Sequence, residues 1–296
     1  MTHYSSLLKI VEPYKGILLD AWGVFWAGNA LGMLPGSLEA LEALVARDKY
    51  VGILSNATRI VSHEVEKLKK AGMIQGKHYH FLITSGELAR QVFLSNALPF
   101  QPKNNKYFVL GGPYPSNPIH TEIFADSVYE ETSLDQAGFI YASTPQIRGE
   151  DQEDASLFDH QIEQCLTYQL PLICANPDTH AQEGNPAKVV IRQGYLAKKY
   201  KDLGGDVYFI GKPYPPAFES AIQCFKKRNL LLKDILMIGD TPETDIAGAK
   251  QAGIDSALIT GTGITADRLK KKPQQKINEL LKREEFPSFF LKRFIL

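Results

Sequence analysis

Short, continuously apolar runs rich in β-branched residues alternate along this chain with stretches whose apolar residues recur at helical spacing. The runs fall at residues 16–20, 50–54, 79–83, 207–210, 235–238 and 256–259. Unbroken apolar character over so few residues is the pattern of strands buried on both faces, as in a parallel sheet. The segment Pro35-Gly-Ser-Leu-Glu-Ala-Leu-Glu-Ala-Leu reads as a helix with a proline near its start. Residues 61–71 and 243–252 read as helices stopping at Gly72 and Gly253. This alternation predicts an α/β fold with a Rossmann-like, doubly wound parallel sheet.

Between about Leu98 and Gly205 the texture changes. Turn-forming clusters such as Gly111-Gly-Pro-Tyr-Pro-Ser-Asn-Pro118 interrupt it, yet it has strand candidates at 106–110, 138–142 and 172–175 and a helix candidate at 154–168. The reading is a core made of residues 1–97 and 206–296, with an inserted α/β cap domain at 98–205. Gly204-Gly205 would mark the return, with the run at 207–210 resuming the core sheet. An insertion facing the carboxyl edge of such a sheet acts as a lid.

Composition narrows the function classes. The chain has 296 residues, 44% hydrophobic and 22% charged, and Lys+Arg 33 balances Asp+Glu 33. With no net charge, nothing points to nucleic acid or to a membrane surface, so any anion site is local. Cys165, Cys174 and Cys224 have neither metal-binding nor disulfide spacing, which suits a reducing, cytoplasmic setting. No signal-like start and no long apolar span is present. The aromatic stretch at 286–296 reads as a tail packed on the core or as a subunit interface, which allows a homodimer.

Four segments carry candidate chemistry. Asp20 ends the first run, where open α/β sheets bind ligands; it is placed to attack or to hold a metal, or to cap the next turn. Ser55-Asn-Ala-Thr-Arg59 follows the second run, where a hydroxyl and backbone N–H groups suit a phosphate oxygen or a helix cap. Lys212, between Gly211 and Pro213, is either a strand-end cation needing an anionic partner or a surface lysine. Gly239-Asp240-Thr-Pro-Glu-Thr-Asp245 brings two carboxylates close to one strand end, where they can converge on a hard cation, although Asp245 could also cap a helix. Glu243 reads as solvated, and Gly261-Thr-Gly-Ile-Thr265 as a structural turn in preference to one bordering the active-site rim.

Taken in order, these segments resemble the haloacid dehalogenase superfamily, and the large insertion between the second and third resembles its type-two-capped subgroup. That subgroup includes sugar-phosphate, nitrophenyl-phosphate and pyridoxal-phosphate phosphatases. Cys174-Ala-Asn176-Pro177-Asp178-Thr-His180 is similar to the segment with which that cap returns toward the site. The resemblance implies magnesium-dependent hydrolysis of a small phosphorylated metabolite through an aspartyl-phosphate on Asp20. It implies a Mg2+ held by Asp20, Asp240 and the Trp22 carbonyl, with Asp245 ordering a ligand or water. Ser55, the Asn56 main chain and Lys212 would fix the phosphoryl group, and Ala57, Arg59, Asn176, Asp178 and His180 would meet the substrate.

Trp22 departs from the pattern. In the family's phosphatases this position is usually an aspartate that moves the leaving-group proton, and an indole cannot do so. Three readings follow: a phosphatase whose proton is carried by His180, Asp178 or water, or whose leaving group needs little protonation; a metal-free dehalogenase, since Asp-Ala-Trp-Gly is similar to the Asp-Ala-Tyr-Gly of that branch; or a phosphate-ligand binding protein. The paired carboxylates Asp240 and Asp245 favour the first over the second.

Overall fold

The computed structural model describes residues 5–112, 120–186, 188–272 and 277–296. Gly16–Leu19 lies inside a six-stranded sheet in the order Phe289–Leu291, Asp255–Ile259, Ile235–Gly239, Gly16–Leu19, Tyr50–Ser55, Phe81–Thr84. Every neighbouring pair is parallel. Gly16–Leu19 and Ile235–Gly239 are buried throughout, as their unbroken apolar sequence requires. The strand order reverses direction around Gly16–Leu19, so the crevice at the carboxyl ends of the central strands is where this topology places a ligand.

A second, five-stranded parallel sheet runs in the order Val207–Phe209, Leu172–Cys174, Phe139–Ala142, Lys106–Leu110, Glu130–Glu131. This corrects the expected return at residue 206. Val207–Phe209 is the edge strand of the second sheet, paired with Leu172–Cys174, and the chain rejoins the first sheet's layer only after it. Gly205 instead lies against the Tyr200 ring, where a Cβ would stand 2.1 Å from a ring carbon.

The two sheets share a core. One buried cluster contains Leu18 and Leu54 of the first sheet, Phe93 and Phe225 of the helices Ser85–Leu94 and Pro215–Lys226, and Tyr107, Tyr141 and Ile173 of the second. Phe93 stacks on Phe124 at 4.1 Å between centroids, and Phe81 meets Phe225 edge-on at 5.1 Å. The inserted unit is therefore anchored by apolar packing on one side. On the other side its antiparallel hairpin, His180–Glu183 with Lys188–Ile191, reaches the short core hairpin strand Trp26–Gly28 and the helix Gly263–Lys271.

Several elements differ in detail from the sequence reading. The helix expected from Pro35 is Ser37–Val45, and the strand expected at 79–83 is Phe81–Thr84. The segment expected as one helix at 243–252 is a wide π-type turn, Pro242–Ile246, followed by the helix Ala247–Gln251. That at 154–168 is a 3-10 turn, Ala155–Phe158, before the helix Asp159–Thr167. The aromatic tail supplies the edge strand Phe289–Leu291 and buries Phe294. The three cysteines are free. Among the described residues no helix is long and apolar enough to cross a membrane.

Candidate active site

The carboxyl ends of the central strands open into a cavity of about 740 Å³, roofed by the cap hairpin. Asp20 stands on its floor. Its backbone N–H still donates to Ile238 O at 2.9 Å, so the sheet fixes its position, and its side chain is buried. Beneath it lies Lys212, 1% exposed, whose Nζ donates to Asp20 Oδ1 at 2.6 Å and to Asp245 Oδ1 at 2.7 Å. Lys212 and Asp245 do not line the open cavity; they form the layer under Asp20. A buried ammonium between two carboxylates is the partnered arrangement that burial demands, so Lys212 is not a surface lysine.

Asp240 follows Ile235–Gly239, and the wide turn after it folds Asp245 back. Asp245 Oδ2 accepts the N–H groups of Asp240 at 3.1 Å and Thr241 at 3.0 Å, which closes the turn and leaves both Asp245 oxygens engaged. The turn glycine Gly239 permits this, since a Cβ there would lie 2.2 Å from Asp245 Cβ. Asp240 is held by the N–H of Ile264 at 2.6 Å and by the Thr241 hydroxyl at 3.1 Å. Each of Asp20, Asp240 and Asp245 offers an oxygen within 4.8 Å of the others.

This crowding sets the electrostatics. Burial pushes the Asp20 carboxyl up to about 7; Lys212 opposes that rise, and Asp245 and Asp178 add to it. Asp240 is raised well above the carboxylate range by burial and then by repulsion from Asp20 and Asp245. Burial alone would lower Lys212, but Asp20, Asp245 and Asp178 reverse the effect and hold it protonated. Fully ionised, the three carboxylates outnumber the one ammonium by two, a buried oxygen set whose mutual repulsion raises Asp20 and Asp240 and which a cation would relieve. That donor set fits a hard divalent cation.

The Ser55–Arg59 segment forms one wall. Ser55 Oγ accepts the N–H of Ala57 at 3.2 Å, while Arg59 is exposed at the rim. Asn56 does more than the sequence suggested. Its Oδ1 accepts Lys212 N–H at 2.7 Å, and its Nδ2 donates to Lys212 O at 3.1 Å and to Asp178 Oδ1 at 3.0 Å. It ties the lysine loop, its own loop and the cap together. Gly211 makes room for this, since a Cβ there would stand 2.4 Å from Asn56 Oδ1 and 2.7 Å from Pro177 Cδ.

The cap contributes Asn176, Asp178 and His180 to the same cavity. Asn176 Oδ1 accepts Asp178 N–H at 2.9 Å and its Nδ2 donates to Gln193 Oε1 at 3.3 Å, so its amide shapes the turn. Burial pushes Asp178 up to about 6, with Lys212 opposing. His180 bonds Thr179 Oγ1 at 3.0 Å through Nδ1 and is lowered by burial and then by Arg268 and Lys271. Trp22 is half-buried on the wall, with Lys67 Nζ 5.7 Å from its ring centroid and 5.0 Å from that of Trp26.

In the sequence, other residues of the site read as its rim at most, or not at all. The turn at 261–265 borders the cavity and holds Asp240: Thr265 Oγ1 donates to Asp240 O at 2.5 Å, and Thr262 Oγ1 to Gly23 O at 2.6 Å. Gly263, at φ +69°, packs so tightly that a Cβ would meet Asp240 Oδ2 at 1.9 Å. A glycine-rich turn at a strand's carboxyl end was the available signal. In the cap, buried Arg192 pairs with Asp151 at 3.0 Å and Glu183 at 2.7 Å, and Gln193 donates to Thr144 at 2.9 Å. No spacing in the sequence announces these.

Two family models match, a haloacid dehalogenase-like hydrolase model over residues 17–121 and a HAD-hydrolase-like model over residues 209–282. They flank most of the inserted unit and together take in more than half of the chain. A dihydroxyacetone phosphatase of Corynebacterium glutamicum is 29% identical over 113 residues, spanning 36% of this chain and only 39% of that enzyme. An acid sugar phosphatase of Staphylococcus haemolyticus is 22% identical over 278 residues, 90% of this chain and 92% of that protein. The solved structure of a haloacid dehalogenase-like family hydrolase from Brucella suis 1330 shares the fold, with TM-score 0.79 and 23% identity over 99% of this chain and 100% of that one. Two models matched in order, on the segments that carry Asp20, Ser55, Lys212 and Asp240, place this chain among the haloacid dehalogenase-like hydrolases.

Proposed function

We propose that the protein is a phosphatase that hydrolyses a small phosphomonoester, a sugar phosphate or similar metabolite, using Mg2+ and an aspartyl-phosphate intermediate on Asp20. The observation that carries this reading is Asp20 and Asp240 together on the cavity floor above a buried Lys212–Asp245 pair, with an oxygen of each of the three carboxyls within 4.8 Å of the others. The phosphatase names of the Corynebacterium and Staphylococcus relatives support a phosphate ester as substrate. Mg2+ would be held by Asp20, Asp240 and the Trp22 carbonyl, with Asp245, whose oxygens are engaged, positioning the set. When bound, it supplies positive charge against the Asp20 carboxylate and the phosphoryl oxygens.

The chain's own groups do the rest. Lys212 fixes the Asp20 rotamer from below, leaving an oxygen to face the phosphorus. The Ser55 hydroxyl and the Asn56 main chain stand beside it to orient the phosphoryl group, while Ala57, Arg59, Asp178 and His180 shape the approach. A metal-free dehalogenase has no use for the crowded Asp240 and Asp245, so that reading is set aside.

The test is phosphate release from phenyl phosphate with and without Mg2+, beside Asp20→Asn. Mg2+-dependent release lost in Asp20→Asn is expected. Chloride release from a short 2-haloacid in chelator would overturn the reading, and binding of phosphate esters with no turnover would replace it by a binding role.

A further inference from the structure

We propose that Trp22 restricts this site to phosphomonoesters whose leaving oxygen departs without a proton: esters of phenol-type or similarly acidic hydroxyls carried on a flat ring. The inference rests on the phosphatase reading above and, within it, sets the sugar phosphate aside in favour of esters with an acidic leaving hydroxyl.

The first ground is what Trp22 is and where it stands. Two residues after Asp20, it lines the cavity as a half-buried indole. An indole N–H can donate a hydrogen bond but has no proton to release. Its face is fixed by Lys67, which lies over both Trp22 and Trp26 and is paired with Glu64. The cap strand lies across the same end of the cavity: the Trp22 ring edge and Gln182 O are 3.7 Å and 3.5 Å from where a side chain on Gly28 would begin. The leaving group thus meets the Trp22 indole in a cavity whose lining also includes the apolar Leu31, Leu34 and Ile264, a surface that suits a planar ring.

The second ground is the state of the other acids on the wall. Asp178 is bonded to Asn56. Glu183 is held by Arg192 and by Asn29 at 3.4 Å, and Asp151 shares the same guanidinium. Glu64 pairs with Lys67, His63 with Glu122 at 2.7 Å, and Glu66 is exposed on the outer rim. His180 has Nδ1 bonded to the Thr179 hydroxyl at 3.0 Å, and burial and then the cationic Arg268 and Lys271 disfavour its protonated form. Among the described residues these carboxyls and imidazoles, Glu66 on the rim aside, are engaged by other partners, and Lys67, the ammonium at the Trp22 face, is paired with Glu64, leaving no acid assigned to the leaving oxygen.

The chemistry balances without one. An Asp20 oxygen attacks phosphorus, the bond from phosphorus to the leaving oxygen breaks, and its electron pair leaves as an aryloxide that takes a proton from bulk water. Water then attacks phosphorus, the bond to Asp20 breaks with its pair returning to the carboxylate, and both water hydrogens go out on dihydrogen phosphate. A phenol ionises near a pKa of about 10, whereas an aliphatic alcohol lies near water's value of about 15.7, so only the first class leaves readily unassisted. Missing general-acid assistance costs about 10²–10⁴-fold, and that loss falls on alkyl esters.

The experiment measures kcat/KM, which reports the steps up to departure of the leaving group, for substituted phenyl phosphates, glycerol phosphate and a hexose 6-phosphate with Mg2+. The wild-type protein should favour phenyl over alkyl esters by about 10²-fold or more, with a steep dependence on leaving-group pKa. Trp22→Asp should raise alkyl kcat/KM at least about tenfold and flatten that dependence, while Trp22→Phe preserves it. Alkyl and phenyl esters hydrolysed within threefold of each other by the wild type, or a Trp22→Asp protein with an unchanged ratio, would overturn the inference alone. The wild-type leaving-group series decides the matter even where Trp22→Asp does not fold. No release from any ester would instead remove the phosphatase reading itself.

Discussion

Replacing Lys212 by Met removes the single ammonium from a buried layer of three carboxylates. The two bridges at 2.6 Å and 2.7 Å disappear together, so that Asp20 loses its bond to Lys212 and Asp240 and Asp245 are left with N–H and hydroxyl donors. Stripping one partner from a buried ion pair costs about 3–5 kcal/mol. With an unfolding entropy of about 2.1 cal/mol/K per residue, 296 residues give roughly 0.6 kcal/mol/K, so the midpoint should fall by about 5–8 °C at pH 8 without metal. The pH dependence has a definite sign. Asp20 is already raised to about 7 in the folded chain, and losing Lys212 raises it further. A carboxyl raised on folding contributes stability that is fully present below its unfolded value and is lost as pH rises through its folded value. The deficit should therefore be small at pH 5, where the carboxyl is protonated, and large at pH 8; millimolar Mg2+ should narrow it by replacing part of the missing charge. Thermal unfolding followed by circular dichroism at the two pH values, with and without Mg2+, measures this. Equal deficits at pH 5 and pH 8 would refute the claim that uncompensated carboxylate charge is what Lys212 relieves.

Two further substitutions probe the frame around that layer. Gly263→Ala places a Cβ 1.9 Å from Asp240 Oδ2 at φ +69°, a backbone region costing an L-residue about 1–2 kcal/mol, so Mg2+ affinity by calorimetry should fall about tenfold or more as Asp240 is displaced. Affinity within twofold of wild type would show that the 261–265 turn does not position Asp240. Asn56→Ala removes the bonds to both backbone groups of Lys212 and to Asp178; at about 1–3 kcal/mol for buried groups left unpaired, the midpoint should drop by about 2–5 °C. An unchanged midpoint would mean that this amide does not brace the cap against the core.

Strand ends were legible in the sequence because each buried strand is apolar until its last residue, and the first polar residue after it must face the carboxyl edge. Asp20, Ser55 and Asp240 follow from that rule alone. What a buried strand's sequence does not encode is which sheet it joins. Val207–Phe209 has the same apolar character as the core strands, and only its pairing with Leu172–Cys174 assigns it to the second sheet. The aromatic tail posed the same difficulty: Phe289–Leu291 completes the six-stranded sheet through backbone pairing with Ala257, Leu258 and Ile259, which no local pattern specifies. The 261–265 turn looked structural because its role depends on how closely Gly263 approaches Asp240. The braces Asn56–Lys212 and Gln193–Thr58 join residues 156 and 135 positions apart, so they exist only in the folded chain.

The position of Trp22 takes on a different meaning beside Lys212. Under Asp20 the Lys212 ammonium bridges to Asp245, and the turn that Asp245 closes holds Asp240 beside it. Such a layer is costly to build, since each ion must be desolvated and partnered. Along the cavity wall the acids Asp151, Glu183 and Asp178 are bound to other partners, and Trp22 presents an indole. A chain that had lost catalysis would have no reason to keep three carboxylates crowded under strain while a single substitution could relieve them. Retention of the lower layer with an indole above it therefore argues for an active site changed in what it releases, with its means of attack intact.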